Sequence, residues 1–141
     1  MKKVLIIMLI IAATGVLFFS CDLLAGAVSA ERRLELFEED LVAGNYDGLV
    51  NHISQSSTTM DINTIDAVYW DNTRFNSTNG PTGITQNSSS SAGDVVTIDA
   101  TLVTNVGDFP YTFSLSPDAS GDYYIFQIYD VNKGDYDVRR P

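Results

Sequence analysis

This chain has one cysteine, one histidine and only eight basic residues against eighteen acidic ones. With Cys21 alone no intramolecular disulfide can form, so the fold must be held by its own core. With His52 alone there is no histidine pair and no Cys/His spacing for zinc. The formal net charge of −10 argues against nucleic acid and anionic lipid surfaces as partners, because Coulomb repulsion opposes both. The acidic residues are spread singly along the chain, as on a solvated surface, and form no acidic tail. There is no phosphate loop and no serine in a nucleophile-elbow context, and no cofactor is implied.

What the chain does carry is clearest at its start. Met1, Lys2 and Lys3 precede an uncharged apolar run from Val4 to Phe19, the basic and hydrophobic regions of a secretory signal. As a helix that run spans about 24 Å, short of the roughly 30 Å hydrocarbon core of a bilayer, which favours a cleaved signal over a permanent span. The junction Leu17-Phe18-Phe19-Ser20-Cys21 resembles the lipobox of bacterial lipoproteins in a relaxed form, with phenylalanines where small residues are usual. The resemblance implies cleavage before Cys21, lipidation of that residue and attachment to a membrane of the bacterial cell envelope, inner or outer. Two or three acyl chains anchor stably where one does not. Lipidation also gives the lone thiol a use.

The expected organisation is a signal peptide over 1–20, an anchor linker over 21–29, one α+β domain over 30–131 and a polar tail over 132–141. Residues 21–141 suffice for one core and are too few for two ordinary ones. Ser29 is a good N-cap, and Leu34, Phe37 and Leu41 recur at spacings of three and four, predicting a helix. Gly44 fits its stop. Asn45 then caps a second, shorter helix whose inner face is Leu49, Val50 and Ile53. A strand is expected over 66–75, and residues 76–93 read as a long polar loop with Ile84 as its one aliphatic. Strict alternation then marks strands over 95–106 (Val96, Ile98, Ala100 and Leu102 inward, Asp99 outward), 111–116 and 123–131. The last is apolar on both faces, and the tail after it is expected to fray.

The two helices, the turn Gly44-Asn45-Tyr46-Asp47-Gly48-Leu49 and the final Gly121-Asp122-Tyr123-Tyr124-Ile125 resemble the small domains of the nuclear-transport-factor-like superfamily, over residues 30–131. That resemblance implies a helical hairpin packed on a curved antiparallel sheet of about four strands, closed into a cone. Enzymes of this fold place an Asp, or a His–Asp pair, with a Tyr in the cavity. Fold alone does not fix function.

The candidate chemistry is sparse. His52, beside Ile53 on the second helix, reads as a surface or capping histidine. Asp66, Asp71 and Asp99 are strand carboxylates, the last on the solvent side. Asp130-Val131-Asn132-Lys133-Gly134-Asp135-Tyr136-Asp137 alternates oxygen ligands like a calcium loop, but Pro141 stands where the closing glutamate belongs, so it reads as a turn. Asn76-Ser77-Thr78 and Asn87-Ser88-Ser89 are glycosylation sequons that mean little behind a bacterial lipoprotein signal. Tyr69, Trp70, Tyr111, Phe113, Tyr124 and Phe126 are a candidate apolar ligand face, the alternative being an ordinary core. No catalytic or metal residue is assigned. The favoured expectation is a non-enzymatic envelope module binding a protein partner or a small apolar ligand; the alternatives are a cone-fold enzyme using Asp66 or Asp71 with a Tyr, and a structural surface lipoprotein.

Overall fold

The structure, a computed structural model, describes residues 26–55 and 67–139. The signal peptide, Cys21, the first part of the linker and Asp66 lie outside the described residues. Ser29 begins helix α1 (Ala30–Val42): its Oγ accepts from the Arg32 N–H at 3.2 Å, pairing a donor that a helix start leaves open. Ala30, Arg33, Leu34, Phe37 and Leu41 form its buried face. Arg32 holds Glu35 and Glu39 on the exposed one. At φ +73°, Gly44 turns the chain through a conformation that strains any side chain.

The expected second α-helix is a 3-10 helix, Tyr46–His52. Its apolar stripe is too short to repay α-helix nucleation, and a tight turn suffices to bury Leu49. Ile53 then lies in a parallel bridge with Ile125, and the Ser54 N–H donates to the Ile125 carbonyl at 2.7 Å.

The strand expected over 66–75 is not formed among the described residues of that stretch. Ala67–Trp70 is a single helical turn, α2, followed by turns up to Asn79. Short polar side chains there capture the backbone more locally than a ladder would. Thr73 Oγ1 donates to the Trp70 carbonyl and accepts from the Phe75 N–H, and Asn76 Nδ2 donates to the carbonyls of Asp71 and Thr73.

Five strands follow, not four: β1 (Pro81–Ala92), β2 (Val95–Thr104), β3 (Gly107–Pro117), β4 (Tyr123–Asp130) and β5 (Asp135–Val138). They pair in chain order as an open antiparallel meander. β1 replaces most of the expected loop over 76–93. Only Pro81 and Ile84 are buried in it, so it has no hydrophobic period to read; β2 makes it a strand by offering partners from Thr104 back to Val95. Its first half is covered by α1, where Glu38 accepts from the Ile84 N–H at 2.9 Å. β5 replaces the fraying tail, held by Val138, which is buried, and by Asp137.

β2 and β3 alternate as their sequence requires, with Ile98, Leu102, Phe113 and Leu115 inward and Asp99 outward. On β4 an irregularity opposite Ser114 and Leu115 skips Phe126, so Ile125 and Ile128 both pair with core positions of β3. Between sheet and helices Phe37 meets Trp70, Phe75 and Phe113 edge-on at centroid distances of 5.9, 5.6 and 6.1 Å, and Phe75 lies 4.8 Å from Tyr111. Such edge contacts add to area burial, and loss of one ring to alanine in a comparable core costs about 3–5 kcal/mol.

Candidate functional site

A recess of about 380 Å³ opens where the end of the 3-10 helix meets the turn between β3 and β4. Val50, Asn51, Ile53 and Ser54 form one wall; Asp118 and Tyr124 form the other. The turn is internally fixed. Asp118 Oδ1 accepts from the Ser120 hydroxyl and from the Ser120 and Asp122 N–H groups, bonds that hold its carboxyl below the usual range, the Ser120 hydroxyl contributing most. The linker is fixed to the same turn: the Val28 N–H donates to Asp122 Oδ1 at 2.7 Å and the Tyr123 N–H donates to the Val28 carbonyl at 2.9 Å.

Behind Tyr124 lies a polar group that sequence reasoning missed. The Arg33 guanidinium stacks 4.2 Å from the Tyr124 ring centroid, donates through Nε to the Tyr123 carbonyl at 2.6 Å, and approaches His52 Nδ1 at 3.4 Å. An arginine can only donate, so Nδ1 accepts and the ring proton sits on Nε2, which donates to Asp40 Oδ2 at 2.9 Å. His52 is therefore a buried, neutral linchpin between α1 and the 3-10 helix, correcting its expected surface position. Burial pushes its pKa down, with Arg33 adding to the shift against Asp40. Burial works against the Asp40 charge, but hydrogen bonds from Asn45 and His52 hold that carboxyl below its ordinary range. Both ring nitrogens are engaged, so neither is free to take a proton from a substrate. The signal for this group was Arg33 itself, a cation within the Ala30/Leu34/Phe37 stripe that needs a partner.

A second polar cluster stands at the other end of the sheet. Asp130, fully buried, accepts at Oδ1 from the N–H groups of Asn132 and Lys133 and at Oδ2 from Arg74 Nε at 2.7 Å. The Tyr111 hydroxyl lies 3.1 Å from Asp130 Oδ2 and 3.0 Å from Asp137 Oδ2. Burial opposes the Asp130 charge, yet Arg74 and the turn hold its carboxyl low. Asp137 is pushed up by burial in spite of Lys133, 3.1 Å away. Burial and the two carboxylates also push the Tyr111 hydroxyl up. The Tyr111 hydroxyl is thus set between the two carboxylates, within hydrogen-bond reach of both, and ties β3 to the β4–β5 turn. Of the turn expected over 130–137, residues 131–134 are a turn and 135–137 belong to β5, and the Asp130 oxygens are taken up by protein donors.

Trp70, Tyr111 and Phe113 are buried in the aromatic core. Tyr69 packs against that core, its ring edge-on to Trp70 and its hydroxyl bonded to the Asp137 carbonyl; burial, with the Asp137 charge adding to it, raises its pKa to about 12. Phe126 is buried at the β4 irregularity, apart from that cluster. Of the six aromatics, Tyr124 alone is among the residues that line the recess. Asp71 and Asp99 are exposed; Asp99 accepts from Ser88 and Thr112 across the outer face. Asn76 is buried with its amide committed to backbone carbonyls, so the first sequon is closed to modification. Among the described residues no group of three or more His, Cys, Asp or Glu is placed to hold a metal. No family model, curated protein or solved structure matches this chain.

Proposed function

We propose that the protein is a lipid-anchored, non-enzymatic binding module of the bacterial envelope, and that the recess beside Tyr124 takes the apolar part of a small molecule. The observation that carries this reading is the pairing of an open wall, Val50, Ile53 and Tyr124, with a rigid back, since Tyr124 is stacked on an arginine that is itself bonded on two further sides. A preformed concave site with apolar and polar lining binds without paying to order itself. The helix-on-sheet layout is compatible with the nuclear-transport-factor-like cone, which we retain as part of the proposal.

The enzyme alternative draws on the Tyr111–Asp137 pair, a carboxyl with a raised pKa beside a tyrosine. Against it, Tyr111 is 1% exposed and Asp130 fully buried, and both serve to fasten the β4–β5 turn. A neutral apolar dye, N-phenyl-1-naphthylamine, tests the binding reading. Saturable enhancement of its fluorescence is expected with the native domain, lost in Tyr124→Ala and kept in Tyr129→Ala, provided both variants keep native circular dichroism. Equal enhancement in the two variants would remove the recess as the site.

A further inference from the structure

The place where the linker joins the fold bears on how an anchored domain would stand. Val28 is seven positions after Cys21, and an extended chain covers at most about 3.4 Å per residue, so the free tether cannot exceed about 24 Å. Beyond Val28 the linker is not free: its N–H and C=O are bonded to Asp122 and Tyr123. The tether therefore leaves the domain at the β3–β4 turn. β3 runs eleven residues from that turn to the β2–β3 turn at the other end, a length of about 34 Å. The tether is thus shorter than the sheet, and only by lying on its side can the domain bring Val106 to the lipid. A net charge of −10 opposes that posture on an anionic bilayer, because lying flat brings more of the chain against like charge than standing on the turn, which itself carries only Asp118 and Asp122.

Resting on the lipid-anchor reading, we propose that the domain stands on its own membrane with the β3–β4 turn downward, held at the bilayer surface by its tether and not by attraction to the lipid. The recess then lies at the membrane-facing end of the domain, since Asp118 of the turn and Tyr124 just beyond it form one of its walls. Its ligand is a molecule presented at the bilayer, not one met in the open compartment. The outward-facing end carries the β2–β3 and β4–β5 turns instead.

Single-cysteine variants of the full lipoprotein test this, because an acylated Cys21 leaves the introduced thiol as the one available for labelling. Ala119→Cys marks the β3–β4 turn and Val106→Cys the opposite end, where Val106 is 62% exposed. Each is labelled with bimane and reconstituted into phosphatidylglycerol-containing liposomes bearing headgroup-region spin-labelled lipid. Quenching severalfold stronger at position 119 is expected. A Gly/Ser insert of about twenty residues after Cys21, with a root-mean-square reach of about 25 Å, should narrow that difference. Equal quenching of bound protein, or a difference the insert leaves unchanged, would overturn the orientation while leaving the anchor intact. Protein that neither carries acyl chains nor floats with the liposomes would overturn the anchor, and the proposal with it.

Discussion

His52 and Asp137 show how burial sets the charge of a residue whose neighbours are fixed. The imidazole is held neutral because Arg33 donates to one nitrogen and Asp40 accepts from the other, and a second proton would force two cations together. Its folded pKa lies below the unfolded value of about 6.5, so between the two the unfolded chain binds more protons. The associated stability is complete above pH 6.5 and is lost as pH falls through the folded pKa, at no more than about 1.4 kcal/mol per pH unit. His52→Gln keeps a donor for Asp40 and an acceptor for Arg33 but cannot titrate. Urea midpoints measured from pH 7 to pH 5 are expected to fall less in this variant than in the native chain. Parallel decline in both would show that His52 is not held neutral.

At the scale of elements, β5 is the least secured strand. It pairs through Ile128↔Val138, Tyr129↔Tyr136 and Asp130↔Asp135 only, and burial pushes its inward carboxyl, Asp137, up in spite of Lys133. The sign here is opposite to that of His52. With the folded pKa of Asp137 raised by burial, its contribution to stability is present below the unfolded value and is lost as pH rises through the folded one. The opening free energy of the Tyr136 and Val138 amides, from hydrogen exchange, is expected to fall over that interval in the native chain and to stay level in Asp137→Asn. A level native profile would show that burial does not raise the Asp137 carboxyl. This strand, like β1, was illegible in the sequence for a physical reason. Alternation reports burial of one face, and Ser88 to Ala92 bury none, while Asp135 to Val138 bury one aliphatic and one acid. α1, β2 and β3 could be read because Leu34, Phe37, Ile98, Leu102 and Phe113 each mark a face. Residues 67–75 misled because Tyr69 and Trp70 are strand formers by composition but are set by Thr73 and Asn76 hydrogen bonds. Of the recess, only Tyr124 was legible; Asp118 and Ser54 reach it through tertiary contacts that no local pattern announces.

For the whole molecule the central quantity is the ratio of acid to base, because it decides what can hold the domain at a membrane. No helix among the described residues is long and apolar enough to cross a bilayer. A chain of net charge −10, more acidic still without Lys2 and Lys3, gains nothing from an anionic surface either, so attraction to such a surface does not localise it. The anchor proposed above supplies a different kind of attachment, covalent and apolar, at Cys21, directly after Ser20 and an uncharged run. At about 0.8 kcal/mol per buried methylene, a second acyl chain changes marginal binding into stable anchoring, while removal of the acceptor residue removes every chain at once. Cys21→Ala is therefore expected to abolish incorporation of a labelled fatty acid and to shift the protein from the membrane fraction into a soluble or uncleaved precursor form. The fold should be untouched, because α1 begins at Ala30 and the Val28 clamp uses backbone atoms and Asp122 alone. Native circular dichroism with lost label is the expected pair of results. Label retained by the alanine variant would place the lipid on another residue or show that the protein reaches the envelope by another route.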